Sequence, residues 1–110
     1  MAVYSDISID QGSDFSAEIV VNDSTGTVAN LTGYTAAGQI RKTYTSSTFT
    51  AFGATVTNAT KGVLTITLSN TVTNAMKAGR YVYDVEITKT SNVEKTRVVE
   101  GQLTVNPGVT

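Results

Sequence analysis

Residues 62–105 carry the clearest alternation of apolar and polar positions in the chain. Leu64, Ile66 and Leu68 alternate with threonines, the period of two expected of a strand with one buried face. Tyr81, Tyr83, Val85 and Ile87 alternate with Val82, Asp84, Glu86 and Thr88, which predicts a long half-buried strand. A turn at Ser91-Asn92 follows, and Val99, Gly101, Leu103 and Val105 continue the apolar face on a return strand. Between the first two of these strands, Val72, Ala75 and Met76 have helical spacing. Ser69 or Asn70 stands where an N-cap belongs, and Gly79 where a helix stops. This predicts about two turns of helix over residues 71–78.

The earlier half is less regular but has the same character. Residues 3–9 form a candidate first strand, at a sheet edge or exchanged with a partner. After a turn at Gln11-Gly12-Ser13, Phe15, Ala17, Ile19 and Val21 face one way on a second strand. The cluster Asn22-Asp23-Ser24-Thr25-Gly26 marks a turn. Leu31-Thr32-Gly33-Tyr34 bends the chain into a third strand over residues 35–44. Ala36, Ala37 and Gly38 there are small enough for a backbone or a large side chain to pack closely. Residues 43–50 are threonine, serine and aromatic, a loop or polar edge. Phe49 and Phe52 call for burial, so a fourth strand is expected over residues 48–57. Asn58-Ala59-Thr60-Lys61-Gly62 is a further turn, and pairing stops at Pro107. The expected core is Phe15, Ile19, Val21, Leu31, Ile40, Leu64, Ile66, Leu68, Met76, Tyr81, Tyr83, Val85, Ile87, Val99, Leu103 and Val105.

Regular turn spacing argues for an all-β sandwich. Gly79-Arg80-Tyr81-Val82-Tyr83 after a helical corner resembles the tyrosine corner of immunoglobulin-like sandwiches. Tyr81 would be the corner tyrosine, and Tyr83 would stand where antibody domains carry their second disulfide cysteine. The chain has no cysteine and no tryptophan, which excludes a true antibody-type domain. The expectation is one immunoglobulin-like β-sandwich domain over residues 1–110, with about seven strands and the short helix near 71–78.

Composition narrows the function. Only 15% of residues are charged, against roughly a quarter in a typical domain, and threonine fills the exposed strand positions. With a net charge of −1 and no basic patch, nucleic acid is not an expected partner. No apolar run approaches the length of a membrane helix. Met1-Ala2-Val3 leads straight into a strand pattern, so no secretory leader is expected.

The ordered motifs Ile9-Asp10-Gln11-Gly12-Ser13-Asp14-Phe15, Asn30-Leu31-Thr32-Gly33-Tyr34-Thr35-Ala36-Ala37-Gly38-Gln39-Ile40-Arg41-Lys42, and Ala75-Met76-Lys77-Ala78-Gly79-Arg80-Tyr81-Val82-Tyr83-Asp84-Val85-Glu86-Ile87, with Val99-Glu100-Gly101 near the end, carry a wider resemblance. Over residues 7–107 the chain resembles small immunoglobulin-like virion proteins of tailed bacteriophages, in particular baseplate or tail-associated proteins of contractile-tailed phages of the cyanophage type. It is also similar to the N-terminal domain of upper baseplate proteins in other tailed phages. The resemblance implies a non-enzymatic structural protein of the virion (baseplate, tail or capsid-associated). It would be made in the host cytoplasm and assemble with other virion proteins or with itself, and no catalytic residue carries over.

The residues supply little catalytic chemistry. Without histidine or cysteine, the commonest acid–base group, thiol nucleophiles and most zinc sites are missing. A carboxylate pair remains. If the last hairpin turns near Asn92, Asp84, Glu86 and Glu100 project from one face, where like charges across a strand pair are destabilising. Such a cluster asks for a cation, a neighbouring Lys or Arg, or a partner surface. Asp6, Asp10, Asp14 and Asp23 invite a calcium reading but lack the spacing of a dedicated loop, and strand-end acids are the plainer account. Asn22-Asp23-Ser24, Asn30-Leu31-Thr32 and Asn58-Ala59-Thr60 match the glycosylation pattern by chance in a threonine-rich chain. No catalytic, metal or cofactor residue is therefore assigned. The candidate interface residues are Tyr4, Asp84, Glu86 and Glu100. The alternative is a recognition module that binds host carbohydrate or protein on a shelf of Tyr44, Phe49 and Phe52.

Overall fold

A computed structural model describes residues 3–22, 25–91 and 94–109. Asp23, the centre of the first glycosylation match, and Asn92 in the final turn lie outside the described residues. The strands are β1 (Val3–Tyr4), β2 (Ile7–Asp10), β3 (Phe15–Val20), β4 (Tyr34–Arg41), β5 (Thr50–Asn58), β6 (Val63–Leu68), β7 (Gly79–Lys89) and β8 (Glu94–Asn106), with one helix, α1 (Asn70–Ala75), before β7. The order across the sheet is β1-β8-β7-β4-β5-β6-β3, and β2 also pairs with β8.

One strand makes this curled sheet into a sandwich. The first three residues of β5, Thr50 to Phe52, pair with β4, whereas Gly53 onward pairs with β6. Strands that switch layers in this way form the corners of a sandwich. Layer A is thus β1/β2, β8, β7, β4 and the start of β5. Layer B is the rest of β5, then β6 and β3. The first strand runs parallel to β8 and all other neighbours are antiparallel, an immunoglobulin-like arrangement. Because β1 and β2 share one register on β8, they are a single strand with a kink, and the architecture is the expected seven-strand one.

The core lies between the layers. Leu64, Ile66, Leu68, Tyr83, Val85, Ile87, Leu103 and Val105 are buried on the alternating positions. Phe15, Phe52 and Tyr83 bridge the layers, with ring centroids 6.4 and 6.0 Å apart. They fill the region that antibody domains give to the inter-sheet disulfide. The small residues of β4 have the anticipated use: a Cβ on Gly38 would meet the Phe52 ring at 2.8 Å. Tyr81 makes the tyrosine corner, its hydroxyl donating to the Lys77 carbonyl at 2.6 Å.

Several expectations are corrected. The helix covers Asn70–Ala75, capped by Ser69 and ended at Met76, and Gly79 opens β7 with φ 143° rather than stopping the helix. Thr73 sets that placement. Its side chain is fully buried, donates to the Ser13 carbonyl at 2.8 Å and accepts from the Gly12 amide at 3.1 Å. Ile9, Phe52 and Val98 join the core, while Phe15, Ile19 and Tyr81 are only half-buried. Among the described residues β3 is an edge strand with no neighbour to cover its far side, which leaves Phe15 and Ile19 partly open. The turn at Asn58 to Gly62 contains a 3-10 segment, Ala59–Lys61.

A candidate interaction face on layer A

The outer face of layer A collects the charged residues singled out in the sequence. In register, Tyr4, Glu100, Asp84 and Gln39 form one row across β1, β8, β7 and β4. At about 4.8 Å per strand this row is roughly 14 Å long. Asp84 and Glu100 are directly opposed, a destabilising arrangement unless something intervenes.

Arg97 intervenes, and a β-bulge puts it there. Val85 pairs with Val99, but Glu86 pairs with Arg97, so Val98 is an extra residue in β8. The bulge lets Val98 and Val99 both turn inward, where they are 5% and 7% exposed. It also moves Arg97 to the acidic face, a re-aiming typical of bulges. The guanidinium lies 3.3 Å from Asp84 and 3.6 Å from Glu100. Both pairs are open to solvent, so their net stabilisation is about 0–1 kcal/mol. Glu86 makes no ion pair among the described residues.

On the β4 side, Arg41 organises the following loop. It donates to the Ser46 carbonyl at 2.6 Å and to Gln39 Oε1 at 3.0 Å, and lies 5.4 Å from the Phe49 ring centroid. Thr43 and Ser46 close the turn through two further bonds of 3.0 and 2.9 Å. The loop leaves Tyr44 70% exposed and Phe49 50% exposed, whereas Phe52 is 6% exposed in the core. The three rings therefore do not form a common shelf. A depression of about 200 Å³ separates the two sides, lined among others by Gln39, Arg41, Tyr44, Val82, Glu86 and Arg97. It is smaller than the ~300–1,000 Å³ of ordinary ligand pockets. Tyr4, beside Glu100 in register, is 61% exposed. Its phenol is pushed above the ordinary value, first by desolvation and then by Asp6, Tyr44 and Glu100 nearby.

The N-terminal strand lies at the sheet edge, one of the two expected arrangements, but it is not a regular ladder. A regular parallel ladder would run a bond from the Gln102 amide to the Ser5 carbonyl. Instead the Gln102 amide bonds Asp6 Oδ1 at 3.1 Å, and the Ser5 carbonyl accepts from the Tyr83 hydroxyl. The Ser5 amide still reaches the Glu100 carbonyl at 2.8 Å. Gly101, between Tyr83 and Ser5 in register, leaves room for this kink: a Cβ there would sit 2.1 Å from the Ser5 oxygen. Ile9 beyond the kink is buried. Residues 3–4 and 7–10 thus pair with their own β8, and Val3 and Tyr4 are the large apolar side chains left exposed on this segment.

Asp14 and Asp10 have structural partners. Asp14 caps the α1 amide of Asn70 at 2.7 Å, and Asp10 accepts from Asn106 at 3.3 Å. Among the described residues no three acidic side chains converge as a metal would require. Sequence reasoning missed Arg97, because the bulge that aims it depends on pairing across the hairpin. Arg97-Val98-Val99 carries no signal of which valine is extra.

No protein-family model matches the chain, and no curated protein matches it. Among solved structures, Listeria monocytogenes InlP is similar at 15% identity and a TM-score of 0.49, over 96% of this chain and 28% of that one. The NK cell receptor NKp44 is similar at 12% identity and a TM-score of 0.49, over 96% and 99% of the two chains. A family 123 glycoside hydrolase from Clostridium perfringens is similar at 12% identity and a TM-score of 0.45, over 96% of this chain and 23% of that one. This chain therefore spans about a quarter of the length of InlP and of the hydrolase.

Proposed function

We propose that this chain is a non-enzymatic structural module of a tailed-phage virion, joining baseplate, tail or capsid-associated parts through the outer face of layer A. The sequence resemblance over residues 7–107 supports the virion setting. The observation that carries the interface is the exposure of Tyr4 and Tyr44 around a network in which Arg97 bridges Asp84 and Glu100. Exposed aromatics beside a guanidinium are the composition of protein–protein contact centres. Asp84 and Glu100 then serve as orienting partners of Arg97, and Glu86 is left to meet a partner charge. The carboxylates line a shallow depression, which suits contact rather than acid–base chemistry.

The test is competition for incorporation. Wild-type and Tyr4→Ser/Tyr44→Ser chains are co-expressed during infection by the phage that encodes them, and purified particles are analysed by quantitative mass spectrometry. Both rings are exposed, so the variant folds; it is expected to be depleted from particles. Incorporation at the wild-type ratio would overturn the interface. The exposure of Tyr44 and Phe49 favours a second reading, recognition of host carbohydrate or protein. Variant particles that assemble fully but lose host adsorption would establish that reading instead.

A further inference from the structure

The curled sheet has two edges, and the chain treats them differently. The β1/β2 edge is broken at Ser5 and Asp6 into segments of two and four residues, and Asp6 and Asp10 stand along it. Kinks, short segments and acids are the usual guards against unwanted pairing. The β3 edge has six unbroken residues, Phe15–Val20, with no proline and no bulge in its pairing to β6. Its one charge is Glu18.

The direction of its free backbone groups follows from the register. The Val21 amide bonds the Gly62 carbonyl at 2.8 Å, continuing the pairing of Val20 with Val63. In an antiparallel pair, bonded and non-bonded positions alternate. Phe15, Ala17 and Ile19 therefore bond to β6, and the amides and carbonyls of Ser16, Glu18 and Val20 point outward. Among the described residues nothing takes them up.

We propose that β3 is a self-association edge, on which a second copy of this chain adds its own β3 antiparallel about a two-fold axis at Ala17. Two-fold pairing that keeps both inner faces on one side requires bonded positions to meet bonded positions. The axis can then lie at Ala17 or at Glu18 near the strand centre. At Glu18 the two carboxylates would be directly opposed, which is destabilising. At Ala17, Glu18 faces Ser16 of the second copy, Phe15 faces Ile19, and two alanines meet at the axis. The half-buried Phe15 and Ile19 gain cover, and layer B becomes a continuous six-stranded sheet across the dimer. This edge is on the opposite layer from the proposed contact face and stands independently of it.

Sedimentation equilibrium from micromolar to millimolar concentration tests it. Ser16 is exposed on the outer face, so substitutions there leave the monomer fold intact, checked by circular dichroism. The wild type is expected to show a concentration-dependent dimer. Ser16→Glu places a carboxylate against Glu18 at two symmetric sites and weakens it about 2- to 30-fold. Ser16→Lys tightens it over a similar range, and Tyr4→Ser/Tyr44→Ser leaves it unchanged. A monomer at all concentrations would overturn the proposal. So would association that both Ser16 variants change in the same direction or not at all, or that the tyrosine variant abolishes.

Discussion

Gly101→Ala is the sharpest perturbation the structure offers, because its clash is with backbone. The added Cβ would lie 2.1 Å from the Ser5 oxygen, 2.8 Å from its carbonyl carbon and 3.3 Å from its amide nitrogen. No rotamer change relieves this, so the Ser5 segment must lift from β8. Three hydrogen bonds then go: Tyr83 to Ser5, Ser5 to Glu100, and Gln102 to Asp6. At about 0.5–1.5 kcal/mol net apiece, with the buried Tyr83 hydroxyl left without its acceptor, the loss is about 2–4 kcal/mol. That is a large part of the ~5–15 kcal/mol of a typical domain. The apolar contribution is small, since Val3 and Tyr4 are 63% and 61% exposed and Ile9 stays anchored through β2. Urea unfolding gives the total. A cycle with Tyr83→Phe isolates the mechanism, because in the Gly101→Ala background the hydroxyl has already lost Ser5. The two losses should therefore be less than additive by about 1 kcal/mol. A Gly101→Ala chain within ~0.5 kcal/mol of wild type, or strict additivity, would refute the strap described for the N-terminal strand.

Other outcomes follow from the same contacts. Burial holds the Tyr83 phenol above the ordinary value. Its stabilising effect is whole below the unfolded phenol value of about 10 and is lost as pH rises above it; alkaline melts should show this loss, reduced in Tyr83→Phe. Thr73→Val keeps the volume but strands the Gly12 amide and the Ser13 carbonyl, so urea titration should show about 1–3 kcal/mol of destabilisation. Arg97→Gln leaves Asp84 opposed to Glu100; the destabilisation should be at most ~1 kcal/mol, shrink in high salt and largely disappear with Glu100→Gln.

Much of this fold is legible locally. The alternation of Leu64, Ile66 and Leu68, and of Tyr81 to Ile87, reports which face is buried because a strand repeats every two residues. Tyr81 at the corner is legible because its bond to Lys77 spans four residues. What stayed hidden depends on partners far along the chain. The switch of β5 at Gly53 is set by two different neighbours. The inward turn of Phe52, and not Phe49, depends on the gap that Gly38 leaves across the layer. The kink at Ser5 exists because Gly101 lies opposite, 96 positions away in register. Arg97 as the hub of the candidate face required the bulge, and the end of α1 was fixed by Thr73 reaching Ser13. The local apolar spacing through Met76 extends beyond that end.

The assembly reading rests most directly on the number of copies of this chain in a purified particle. Particles of the phage that this proposal holds to encode the chain, washed free of lysate protein, would be quantified against isotope-labelled standards for this chain and for a component of known copy number. A fixed stoichiometry, constant between preparations and retained through high-salt washing, is the predicted result. Absence from particles, or a level that falls with each wash while the chain abounds in the lysate, would contradict it.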